Sequence, residues 1–156
     1  MLAIFILGVI GGVALAAVGM VVAMRSMMIT VKPSPHDLAT TISLLEKGIA
    51  DANWSLVDSK RLNQNLEKHG VSFAPQVHLM KICKAPYAAQ VLKDARRMAC
   101  LMPCTVAVYE TDGGQVHISK MNTGLMGKVF GGTVARVMGG YVASDEATIL
   151  GKALRP

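Results

Sequence analysis

Four sulfur side chains alternate in the middle of the chain: Met98, Cys100, Met102 and Cys104. Thiolate and thioether ligands select Cu(I) and support haem or cluster ligation, so Cys100, Met102 and Cys104 form a candidate metal set. A two-residue turn at Asp112-Gly113 would fold the following strand back on itself. That register sets Cys104 opposite Met121 and Val108 opposite His117, which puts Cys104, Met121 and His117 on one sheet face. His78, on a neighbouring mixed face, would join them. Cys104, Met121, His117 and Cys83 make up the candidate cofactor-binding set, one that could take Cu(I) or haem, although the sequence requires neither. Methionine and cysteine are also ordinary core fillers, and Val106 and Val108 share that face.

A second chemistry is thiol reactivity. Cys83 precedes a helix start at Pro86 and lies between Lys81 and Lys84, surroundings that favour a thiolate. A thiol-dependent redox enzyme using Cys104 or Cys83 is therefore the alternative to a binding or accessory module. A strand-end core cysteine has the same sequence signature. If the helix after Cys83 returns across the sheet, Cys83 and Cys104 lie roughly 20 Å apart, too far for a disulfide. Cys100 and Cys104 could approach more easily, but three free thiols are expected.

Many enzyme signatures are absent: Cys-x-x-Cys, His-Glu-x-x-His and Gly-x-Gly-x-x-Gly do not occur. Gly124–Lys128 only loosely suggests a phosphate loop, because Asn122 stands where the first glycine should be and Val129 replaces the Ser/Thr that would hold magnesium. Lys93, Arg96 and Arg97 fall on one face of a helix read as continuous over 86–99, which suits anionic lipid or plain solvation. Few aromatic residues accompany the basic ones, so nucleic acid is not an expected partner.

These residues need elements to carry them. The chain has 156 residues, 52% hydrophobic and 4% aromatic, and a formal charge of +6 that falls entirely after Met24. About 23 apolar or small residues from Leu2 to Met24 would span about 34 Å as a helix, enough to cross a bilayer. No basic segment precedes them and the run exceeds a signal peptide's apolar core, so an uncleaved anchor is favoured over a cleaved leader. Arg25 and Lys32 follow it. The positive-inside rule then predicts a single-pass cell-membrane protein with its domain in the cytoplasm. Gly8, Gly12 and Ala16 are spaced by four, the pattern through which a second copy or another membrane helix could pack.

Beyond the anchor, the patterns predict strands at 26–32, 53–58 and 76–83 and helices at 34–50, 60–69 and 86–99, with a hairpin of 105–109 and 115–119. The tail from Thr123 to Val142 has helical apolar spacing but six glycines, which weaken an isolated helix. It is expected to order against its own domain, the bilayer or a partner. The expected organisation is thus an anchor at 1–25, an α+β domain at 26–122 and a glycine- and methionine-rich amphipathic tail at 123–156.

From about Met28 to Met138 the chain resembles the domain-of-unknown-function family 302. The resemblance rests on Asp37–Thr41 entering a helix, on Ile82-Cys83 ahead of Tyr87-Ala88, and on Met102-Pro103-Cys104 continuing to Glu110. Asp112-Gly113 and the run His117–Asn122 complete it. It implies two β-α-β halves forming a mostly antiparallel sheet with helices packed on it, often behind one transmembrane helix. It implies no activity. An Asn-Pro that often follows the first cysteine is replaced here by Lys84-Ala85.

Overall fold

The computed structural model describes residues 2–156, with the side chains of residues 2–7, 9, 10, 14 and 23–25 outside the described residues. The first helix, α1, covers Leu2–Met27. The expected anchor falls in large part on those undescribed side chains, and among the described residues no helix is long and apolar enough to cross a membrane. Gly8 and Gly12 stand in open space.

The domain follows without a linker: β1 (Ile29–Pro33), α2 (Leu38–Asp51), β2 (Ser55–Arg61), α3 (Leu62–Lys68), β3 (Val77–Cys83) and α4 (Ala85–Asp94). A 3₁₀ turn over Arg96–Leu101 leads to β4 (Cys104–Glu110) and β5 (Val116–Met121). Then come α5 (Thr123–Phe130), α6 (Gly132–Arg136), a π-helical stretch over Val137–Val142, and α7 (Ala143–Ala153). The five strands form one sheet in the order β1-β5-β4-β3-β2, with every neighbouring pair antiparallel. The first β-α-β passage joins opposite edges, whereas β3 and β4 are adjacent and antiparallel despite the helix between them.

Alternation along the strands explains the layering. Met80, Ile82, Val106, Val108, Val116 and Ile118 point to one face and are buried beneath the helices. The other face carries Val31, Leu79, Ala107, Tyr109, His117 and Ser119, all half-buried or exposed. In α2, Asp37 rather than Ser34 caps the helix, accepting the Thr40 N–H at 2.7 Å, and that bond holds its carboxyl below the usual range. Ser34 is instead buried, bonded to Thr41 and to the Ala153 carbonyl, and so ties α2 to the end of α7.

The tail is no separate segment. Val134, Val137, Met138, Val142, Ile149, Leu150 and Ala153 belong to the same core as the sheet residues. Its glycines permit close helix approach: a Cβ on Gly127 would lie 2.6 Å from Gly139 Cα. Gly48 serves likewise where α2 crosses α7, since a Cβ there would lie 2.8 Å from the Ile149 carbonyl oxygen. Two further expectations are corrected. The helix expected over 86–99 breaks at Ala95 (φ −141°, ψ 66°), so Lys93 and the Arg96-Arg97 pair do not share one helical face. Because β3 and β4 are antiparallel with Ile82 opposite Cys104, Cys83 and Cys104 lie at the same end of the sheet, not at opposite ends.

Candidate functional site

The hairpin decides where the sulfur and imidazole groups point. Tyr109 pairs with His117 and Glu110 with Val116, leaving a five-residue loop, Thr111–Gln115, in which Gly114 takes a positive φ of 77°. The register is therefore one residue away from that of a two-residue turn, and a shift of one moves every side chain to the other face. Cys104, Val106 and Val108 face the helices, while His117 and Met121 lie on the opposite face. Cys104, Met121 and His117 do not share a face. His117 stacks on Tyr109 at 5.7 Å, and its Nδ1 is buried with no hydrogen-bond partner among the described residues. His78 lies four residues along β3 from Ile82, roughly 13 Å away by strand rise, and its Nε2 bonds Ser59 Oγ at 2.9 Å.

The three cysteines are free. Cys100 is exposed, its thiol donating to the Arg97 carbonyl at 3.3 Å. Burial, reinforced by the nearby Glu146, pushes the Cys104 thiol up to about 12. A thiolate is disfavoured there, which counts against Cys104 as a nucleophile. Cys100 and Cys104 line one cavity, whereas Met102 and Cys83 line a second, much smaller hollow that Cys104 also borders. Among the described residues no group of three His, Cys, Asp or Glu side chains is placed to hold a metal ion.

The larger cavity, about 310 Å³, lies where the sheet forks. The last registered β4–β5 pair is Val106 with Lys120. Beyond it, Cys104 and Thr105 stay with β3, opposite Ile82 and Lys81, while Met121 stays with β1, opposite Ile29. The parted ends leave a slot walled by Ile29, Leu101, Pro103, Met121, Met126 and Met138. Three polar side chains converge at its base. Lys120 Nζ donates to Glu146 Oε2 at 2.7 Å and to the Met121 carbonyl at 3.1 Å. Thr123 Oγ1 donates to the same carboxylate oxygen at 2.7 Å. Glu146 is only 2% exposed.

The sequence reading missed this trio, although a signal for Glu146 was present. It shares the helical spacing of Ile149, Leu150 and Ala153, and so sits on the apolar stripe of α7. Its neighbour Asp145 anchors α7 elsewhere, accepting from Lys84 Nζ at 2.8 Å and Trp54 Nε1 at 2.9 Å. Burial opposes its ionisation, yet those two bonds outweigh it and hold the carboxyl below the usual range. Lys84 Nζ also lies 4.8 Å from the Tyr87 ring centroid, a cation–π contact. The Lys84-Ala85 departure thus has a structural role, joining the start of α4 to α7.

The architecture defines a class, an α+β domain with helices on one face of an antiparallel sheet and a slot at a fork in that sheet. Residues 30–147 match the family described as Domain of unknown function DUF302, and the chain belongs to that family. A crystal structure of an uncharacterized conserved DUF302 protein from Bacillus stearothermophilus is similar, with a TM-score of 0.72 at 16% identity, covering 81% of this chain and 98% of that one. At that identity the likeness shows the fold. No curated protein matches the sequence.

Proposed function

We propose that the protein is a membrane-anchored binding module whose site is the forked slot. One observation carries this reading: an open cavity of about 310 Å³ with apolar walls ends on a buried Lys120–Glu146–Thr123 cluster. Apolar walls with a few fixed polar groups are the usual composition of a small-molecule site. Anchoring is supported by the uncharged sequence before Arg25 and by the exposure of Val13, Leu15, Val18, Met20, Val21 and Val22 along α1. Arg25 and Lys32 favour a cytoplasmic domain. A thiol-redox role at Cys104 is less well supported because its burial disfavours the thiolate, and a soft-metal role because Met121 and His117 lie on the other face of the sheet.

The test uses the full-length protein in lipid nanodiscs and follows thermal unfolding by the fluorescence of Trp54, its single tryptophan. Ala107 lines the slot from the open face of the sheet, so Ala107→Phe plugs the slot without touching the polar base. In a panel of small amphipathic compounds, some are expected to raise the midpoint of the wild type and leave that of Ala107→Phe unmoved. The reading fails if no compound distinguishes the two proteins.

A further inference from the structure

We infer that the slot takes an uncharged single-chain lipid with a hydroxyl-bearing head, drawn from the bilayer leaflet where α1 emerges. The inference rests on the binding reading above and specifies its ligand. Position is the first argument. Ile29 lines the slot only two residues after α1 ends, a reach of at most about 7 Å. Asn122 secures that junction: its side-chain amide donates to the Met27 carbonyl at 3.0 Å and its backbone N–H to the Met28 carbonyl at 2.8 Å. If α1 spans the bilayer, the mouth of the slot opens at the membrane surface. Exposed Met27, Met28 and Ile29 continue an apolar path from the helix to the mouth.

The base of the slot selects the head group. Lys120 and Glu146 cancel each other's charge at 2.7 Å. Both described bonds to the Glu146 carboxylate end on Oε2, and none ends on Oε1. Among the described residues His117 Nδ1 is the only buried side-chain oxygen or nitrogen without a partner, so Oε1, to which no described bond runs, is not a sealed unpartnered atom, and Glu146 lines the slot. A hydroxyl can donate to Oε1 while accepting from the ammonium. An anionic head would be repelled by Glu146 and a cationic one by Lys120, each paying desolvation without a free counter-charge. The walls supply no further charge.

Size gives the chain count. At roughly 30 Å³ per water-sized group the slot holds about ten such groups. That accommodates a glycerol-sized head and the start of one chain, with the remainder returning through the mouth to the bilayer.

The experiment is photo-crosslinking of the full-length protein in nanodiscs with a monoacylglycerol carrying a diazirine near its head, mapped by mass spectrometry. Labels are expected on slot residues such as Met121 and Met126, besides generic labelling along α1. Excess unlabelled monoacylglycerol should reduce the slot signal about tenfold or more, while a fatty acid and a single-chain phosphate of equal length should not. Ala107→Phe, and independently Thr105→Trp at the exposed rim, should abolish the slot signal and keep that on α1. Labelling confined to α1, a slot signal that survives both plugs, or equal competition by the charged lipids overturns the inference. The broader binding reading would survive the first and last outcomes if soluble compounds still distinguished wild type from Ala107→Phe.

Discussion

Neutralising one member of the Lys120–Glu146 pair should be among the most costly changes available in this domain. The two side chains are 12% and 3% exposed and meet at 2.7 Å. Glu146→Gln keeps the shape and leaves Thr123 a partner, but strands the Lys120 ammonium in a largely dry site. Lys120→Met strands the carboxylate instead. Removing one partner of a buried pair costs about 3–5 kcal/mol, because the remaining charge is desolvated and uncompensated. For a domain of this size that corresponds to a fall in midpoint of very roughly 10–20 °C. The double variant Lys120→Met/Glu146→Leu removes both charges, and apolar replacement of buried pairs is often neutral or stabilising. It should recover most of what either single change loses. Urea unfolding of the full-length protein in detergent micelles, followed through Trp54, gives all four stabilities of the cycle. If either single change costs less than about 1 kcal/mol, or the double costs the sum of the singles, the pair is not desolvated and coupled as described.

Other perturbations probe the rest of the frame. Gly48→Ala and Gly127→Ala each force a Cβ into neighbouring backbone, so both should destabilise by about 1–3 kcal/mol despite alanine's better helix propensity, while Gly151→Ala, which meets open space, should be neutral or stabilising in the same unfolding assay. Native alkylation at pH 8 should modify exposed Cys100 first and leave Cys104 unmodified, as peptide mass mapping would report. The unfolded Cys104 thiol loses its proton near pH 9 and the folded one only near about 12, so the unfolded state binds fewer protons in that window. Stability should therefore fall there by up to about 1.4 kcal/mol per pH unit, and Cys104→Ala should flatten that slope. The Asp145 carboxyl is held low when folded, so its contribution is present above the ordinary carboxylate range and lost as pH falls through its lowered value. Wild type should consequently lose more stability on acidification below about pH 4 than Asp145→Asn does.

Much of this architecture is legible in residue patterns. Leu38, Ile42, Leu45 and Ile49 mark α2, and alternation marks β3, because those signals are local. The pairing of strands is not local. Asp112-Gly113 is compatible with a two-residue turn, and only the register shows that the loop extends to Gln115 and that Cys104 and His117 part company. One residue of register reversed the candidate site. The break at Ala95 likewise has no Gly or Pro to announce it. The glycines of the tail looked like weakness because their compensation is tertiary: Gly127 against Gly139 is a contact between two helices that neither sequence reveals alone.

The fork follows from competition among strands for partners. Cys104 and Thr105 are registered with β3, while Met121 is registered with β1 and Asn122 turns the chain into α5 by accepting the Leu125 N–H. Each end is therefore held by its outer neighbour, and the ladder between β4 and β5 stops at Val106–Lys120. Lys120 stands at that point and returns its ammonium to the Met121 carbonyl, one of the backbone groups beside the opening. An apolar plug would fill such a fork at less electrostatic cost, since buried ion pairs rarely stabilise more than well-packed hydrophobic replacements. Instead the fork stays open and its base carries a neutral charge pair with one carboxylate oxygen unbonded among the described hydrogen bonds. That combination is poorly explained by folding stability and is what an uncharged polar ligand head would need.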